Sequence, residues 1–476
     1  MLFRSKHMPP FLGDAKERRA LAEYITIVIN GREPDDHAVA EIAPLNEAPL
    51  PFDRDADEYV LLAWNTLGMK YISDGDAFFS LQPPGSDLGA VLIRRGETPE
   101  LVGGADVEIA YEAPSGFKKP SSHVDFWKHA PSLLGAELAP DVSASGRGLD
   151  GAMGFNEETR TFEAAGIPVV PYADDGSVNP YPVFTVTAKV SGEVVGRTKV
   201  VVPVSTEMGC RSCHGGEWRK NGVTGISDAA AAGVLDVHDK RSGTNLLAQA
   251  KAGKPVLCQS CHSDSLANVE GDPKLLNLSA AIHGFHTQYL KGQGGETCSR
   301  CHPASPTGVT RSLRDNHAAA GLECRHCHGY LEDHTLSLLK AEEKAGKERA
   351  RLYMSGIASR AVPSAEAIEP RAPWRQEPEC MTCHDNADLD PQTASAFNVW
   401  TKDAGELYRN RKDATESLPC VACHGAPHAT YPANNAYGPE RDNLQPLQYM
   451  GFAGVMGSGE SCAVCHIEMP PGDAHH

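Results

Sequence analysis

The sequence predicts an α+β fold in two parts: a β-sandwich-like N-terminal domain, then a mostly helical and loop region. Three observations carry this. Residues 51–205 hold no cysteine and read as short strands between Gly, Pro and Asp clusters. Helix-start signals appear only further along. All fourteen cysteines fall after residue 206, in seven copies of one pattern, Cys-x-x-Cys-His.

Residues 1–50 form an N-terminal extension, charged and mixed, with one apolar run at Ile25–Ile29. In 51–205, Glu58–Trp64, Ala90–Arg95 and Val107–Ala113 are short apolar or alternating runs. The clearest hairpin pairs Val183–Val190 with Val194–Val202 through Ser191-Gly192-Glu193. Phe184, Val186, Ala188 and Val190 share one face of it, because side chains alternate along a strand. In 206–476, Ser227 caps a helix starting at Asp228 and passing His238. Thr244 caps a second helix, closed by Gly253. Leu276–Leu290 reads as a helix bearing His283 and His286, a short helix carries His317, and Thr335–Ser359 reads as one long charged helix. No parallel-sheet pattern is visible, and much of this half should be loop.

The seven motifs are Cys210/Cys213/His214, Cys258/Cys261/His262, Cys298/Cys301/His302, Cys324/Cys327/His328, Cys380/Cys383/His384, Cys420/Cys423/His424 and Cys462/Cys465/His466. This is the attachment signature of c-type haem. The two thiols add across the porphyrin vinyl groups, and the following His becomes the proximal iron ligand. Zinc sites use CxxC pairs two at a time, so an odd number leaves one over, and zinc does not require a His after the second Cys. With 20 His in 476 residues, seven such His by chance have odds on the order of one in a billion. A disulfide framework predicts varied spacings, not identical ones. The expected cofactor is therefore seven covalently bound haems c, mostly with two His ligands each. The lean aromatic content, 7%, fits, because a porphyrin is an apolar plate that replaces side-chain core.

The sixth iron position separates a wire from an enzyme. Nine His after residue 206 lie outside the proximal positions. His238, His283, His286, His317, His334 and His428 are the candidates for six haems. His283 and His286 share a helical face, so one helix could serve two haems. Pro427 turns the chain, so His428 is expected to ligate a haem other than that of His424. His475 is the candidate for the seventh, with His476, His123, His129, Met450, Met456 and Met469 as alternatives. His326 lies inside a motif, where the tight turn disfavours reaching any iron.

The formal charge is −18, which argues against nucleic acid and anionic membranes as partners and favours a basic redox protein, a metal ion or a mineral acceptor. No apolar run reaches the ~18 residues needed to span a membrane. The first residues lack the apolar stretch of a secretory signal. Haem c attachment requires export, so the signal is expected to have been removed or to precede this start.

Several stretches resemble a group of multihaem cytochromes from anaerobic metal- and sulfate-reducing bacteria: AWNTLGMKY, SLQPPGSDLGAVLIRRG, HVDFWKHAPSLLG, NPYPVFTV, VSTEMGCRSCHGG, LSAAIHGFH, CHGAPHATYP and RDNLQPLQYMG. They span Ala63 to the end. The resemblance implies a periplasmic or cell-surface protein of anaerobic respiration. Lys70 and Tyr71 stand where relatives often carry His and Cys, so no extra site is expected there. The leading functional expectation is an electron conduit without catalysis. The alternatives are a reductase of a nitrogen or sulfur oxyanion at one open haem, with Tyr408, Arg409, Arg411 and Lys412 as a candidate basic cluster, and a filament subunit or other homo-oligomer.

Overall fold

The structure is a computed structural model. It describes residues 47–220, 222–303, 310–384, 390, 393–402, 418–457 and 459–469. The Ile25–Ile29 run, the Tyr408–Lys412 cluster, His475 and His476 lie outside the described residues. Strands and helices are both present, in an α+β arrangement.

Two sheets face each other between residues 59 and 201. One runs Tyr59–Asn65, Ser86–Arg94, Thr161–Ile167, Gly154–Asn156, with Glu100–Val102 also on Ser86–Arg94. The other runs Glu193–Val201, Val183–Val190, Val107–Glu112, Asp150–Ala152. Leu61, Ala63, Leu88, Ala90 and Leu92 of the first sheet meet Ile109, Tyr111, Phe184, Val186 and Ala188 of the second in one buried cluster. Each fully buried Leu, Ile or Phe contributes about 1.5–3 kcal/mol, so this core is the main force holding the sheets together.

The hairpin turn is tighter than the sequence suggests. Val190 pairs with Glu193, leaving only Ser191 and Gly192 in the turn, with φ of 51° and 85°. Two positive φ values give the twist that matches the flanking strands. The extra residue is absorbed by a register shift at Ala188/Lys189.

The first sheet is buried on both faces. Val60, Leu62, Trp64, Val91 and Ile93 point away from the sandwich core. They pack against Val421, Ala422, Tyr431, Tyr449, Met456 and Val464 of the C-terminal segment. Tyr449 Oη donates to Leu61 O at 2.6 Å and Ala63 N donates to Gln445 Oε1 at 2.9 Å, tying the strand to the C-terminal segment.

In the second half, Ser227 Oγ accepts from Ala230 N and starts the helix Asp228–Ser242. The next helix, Leu246–Lys251, is not capped by Thr244. Asp239 accepts from Leu246 N and Leu247 N instead, and Thr244 Oγ1 donates to the same carboxylate. A charged acceptor at a helix start outcompetes a hydroxyl. Asn277 caps Leu278–Leu290. The single helix expected over Thr335–Ser359 is two, Leu331–Lys344 and Glu348–Met354. They are broken at Gly346, whose φ of 84° no helix accommodates. Two short parallel ladders occur: Val204–Ser205 on Lys70–Tyr71 lies within the first half, and Val256–Leu257 on Phe79–Ser80 joins the second half to the first.

Candidate functional site

Each motif is one helical turn. Four are α-helical: Arg211–His214, Cys324–His328, Met381–His384 and Cys420–His424. The other three lie on or beside 3₁₀ turns. The His N–H donates to the first Cys carbonyl at 2.9 Å for His214, His302 and His466. The turn sets both sulfurs and the imidazole on one side of the chain. Gly329 and Gly425 end two motifs with φ of 74° and 87° and ψ of 176°. Only glycine occupies that region readily.

None of the fourteen cysteines is in a disulfide. The cysteines differ in burial. Cys213, Cys261 and Cys301, the second cysteines of the first three motifs, are exposed, whereas Cys210, Cys258 and Cys298 are partly buried. The reason is local. Cys210 and Cys258 open their turns against the apolar cluster around Phe79 and Leu235. Cys213 and Cys261, three residues later, lie outside that cluster and are exposed. Burial pushes the Cys210 and Cys258 thiols up to about 12. Protein packing therefore encloses the first sulfur of these two motifs more than the second. In the last four motifs both cysteines are partly or fully buried.

Imidazoles outside the motifs come to lie against imidazoles inside them. His286 faces His214 at 6.5 Å between ring centres, and His283 faces His302 at 6.2 Å with planes 12° apart. His317 faces His384 at 6.0 Å. His328 has two neighbours, His334 at 5.9 Å and His428 at 6.1 Å. His238 is near enough to His262 that, after burial, this neighbour is the next cause depressing its basicity. A metal held between two Nε2 atoms at about 2.0–2.1 Å each puts the ring centres about 6.3 Å apart. The donor set therefore fits an iron whose other four ligands come from a porphyrin.

The second nitrogens support the same fit. His262 Nδ1 donates to Leu276 O at 2.8 Å, His283 Nδ1 to Ser279 O at 2.8 Å and His286 Nδ1 to Ile282 O at 2.8 Å. His466 Nδ1 donates to Glu97 O at 3.0 Å. A carbonyl partner fixes the proton on Nδ1 and leaves the Nε2 lone pair for a metal. His238 Nδ1 pairs with Thr244 Oγ1 at 3.0 Å and His317 Nδ1 with Asp315 Oδ2 at 2.9 Å. His334 Nδ1 is buried without a hydrogen-bond partner. Among the described residues no three or more His, Cys, Asp or Glu side chains gather as a bare metal ion would require. Two imidazoles per centre are what a haem iron asks of the protein.

The remaining candidates sit elsewhere. His326 is buried and accepts the Glu323 N–H at 2.8 Å, capping its own helix. His123 packs against Tyr172 in the first half at 6.4 Å. Met456 is buried between the sixth and seventh motifs, and Met469 is 57% exposed. Tyr71, where no extra site was expected, lies edge-on to His302 at 5.2 Å. Two further neighbours were not singled out from sequence: Arg371 Nη1 is 3.5 Å from His328 Nδ1, and Asp315 carries His317. Of these two only Asp315, two residues before a candidate His, left a local trace in the sequence.

The motifs adjoin one another in a row. Cys210 and Cys258 pack into one cluster, joining the second motif to the first. Gly209 N donates to Cys301 O at 3.2 Å, joining first to third. The Cys298 and Cys324 thiols are partners, joining third to fourth. Cys327 and Cys380 join fourth to fifth, and Cys380 and Cys420 join fifth to sixth, each pair close enough to interact electrostatically. Met456 N donates to Cys423 O at 3.3 Å and packs with Cys465, joining sixth to seventh.

Compared with known protein families, characterised proteins and solved structures, the chain finds no match. No helix among the described residues is long and apolar enough to cross a membrane.

Proposed function

We propose that the chain is a seven-haem c-type cytochrome that relays electrons in anaerobic respiration outside the cytoplasm, with a basic protein or a metal acceptor as redox partner. The observation that carries this reading is the facing of motif and non-motif imidazoles at the spacing a shared metal requires. When bound, haem supplies reversible one-electron chemistry at iron. The protein's part is to hold it. The Cys pairs would anchor each porphyrin edge. His214, His262, His302, His328, His384, His424 and His466 would ligate from one side. His286, His238, His283 and His317 would close the far side of the first, second, third and fifth centres. His334 or His428 would close the fourth. Carbonyl and carboxylate partners hold His262, His283, His286, His317 and His466 in one tautomer and one orientation, so little rearrangement accompanies a change of charge at them. At these five centres two protein ligands per iron would leave no position for substrate, which favours conduction over catalysis there. The row of adjoining motifs supplies a continuous route.

The test is the mass of the denatured protein after expression with a haem c attachment system. Seven haem masses above the chain mass are expected, with only low-spin ferric signals in electron paramagnetic resonance. Bound zinc or no added mass would overturn the reading, and a strong high-spin signal would move it toward a reductase.

A further inference from the structure

The seventh motif does not stand in the second half alone. It is built onto the sandwich. Gly96 and His466 form a parallel bridge: Gly96 N donates to Cys465 O at 3.3 Å and Ile467 N donates to Gly96 O at 3.1 Å. The motif thus continues the end of the strand Ser86–Arg94. His466 Nδ1 donates to Glu97 O at 3.0 Å, one residue on.

Arg95 ties the assembly together. Its Nε donates to Val464 O at 2.8 Å and its Nη2 to Ala463 O at 3.1 Å, the two residues between the cysteines. Its Nη1 donates to Asp57 O at 2.8 Å and also to Arg54 O. The guanidinium lies over the Phe52 ring at 5.4 Å. One planar fork therefore spans the motif's turn on one side and the sandwich's entry segment on the other. No other side chain has five donors in that fixed geometry. The neighbouring Arg94 points away, to the exposed Glu100.

We infer that the cysteine-free sandwich acts as the outer coordination shell of the last haem in the row, with Arg95 as its positioning residue and the Glu97 carbonyl fixing the His466 tautomer. This rests on the seven-haem reading and gives the haem-free domain a redox role. A ligand imidazole's orientation and the strength of its Nδ1 hydrogen bond tune the iron it holds. Through Arg95 and Glu97 the sandwich thereby sets the properties of one terminal centre, because these two residues touch the seventh motif.

The test compares the haem-loaded full-length protein with Arg95→Gln, Arg95→Lys and, as a control, Arg94→Gln. Mass spectrometry first counts haems in the unchanged protein; a count below seven there sinks the parent reading. With seven present, Arg95→Gln is expected to shift one low-spin ferric signal and one step of the redox titration. Six should stay fixed. Arg95→Lys should restore part of the shift, and Arg94→Gln should match the unchanged protein. Superimposable spectra for Arg95→Gln at full haem content would overturn the inference while leaving seven haems intact. If Arg95→Gln fails to accumulate, hydrogen exchange on the unchanged protein decides. The Gly96 and Ile467 amides should be protected together, and free exchange at Ile467 would overturn the proposal.

Discussion

Asp76 is 3% exposed, and burial raises its carboxyl to about 7, with Asp74 adding repulsion against the help of Ser80. Asp74 beside it is better served, by Tyr172 Oη at 2.7 Å and by Lys220 Nζ at 3.5 Å. An ordinary Asp loses its proton near ~3.9 when unfolded. Between about pH 4 and pH 7 the folded chain keeps a proton that the unfolded chain has released, so stability falls as pH rises through that window and then levels. Asp76→Asn removes the penalty. It should raise the melting temperature at pH 8, by the equivalent of about 2–4 kcal/mol, and change little at pH 4. Equal effects at both pH values would show that Asp76 does not titrate as its burial requires. No sequence pattern marks this carboxylate. Its loop leaves the sandwich and leads into Phe79–Ser80, which pairs with the strand before the second motif, a tertiary fact with no local signature.

At the level of elements, Leu278–Leu290 carries most of the site's logic. Its residues 283 and 286 are three apart, and the helix lies between two motifs, one served by each side chain. His283→Ala and His286→Ala should each open one iron, giving one high-spin haem and carbon monoxide binding on reduction. The double variant should open two. A single-variant spectrum identical to the unchanged protein would remove that imidazole from the ligand set. This helix was legible because its length and its His spacing are local. The strands Tyr59–Asn65 and Val183–Val190 were legible for the same reason. What could not be read was every partner reached across space. His428 lies four residues from His424 yet faces His328, and His317 faces a motif that begins sixty-odd residues later. The unequal burial within a motif, Cys210 against Cys213 and Cys258 against Cys261, was equally hidden, because it depends on what packs against the turn and not on the repeat itself. The Thr244 cap failed because Asp239, one turn upstream, reached the same amides first.

For the whole molecule, the balance of 62 acidic against 44 basic side chains gives −18. Haem propionates would make the loaded protein more acidic. Such a field speeds encounter with cations and is screened beyond ~8 Å at physiological salt. Reduction by a small cationic dye in stopped flow should slow as salt rises, and reduction by an anionic dye should quicken. Identical salt responses would reduce the charge to a solubility device.

The sheet buried on both faces carries a consequence for how the chain comes into being. Val60, Leu62, Trp64, Val91 and Ile93 belong to the sandwich, yet their cover is made from residues 418–464, synthesised long after them. Until those arrive, a finished sandwich displays a sticky apolar wall, the kind of surface that draws folding intermediates into aggregates. A chain cut after residue 402 should therefore clump even though every strand of its sandwich is present. The C-terminal motifs are the lid that makes the N-terminal half safe to keep in solution.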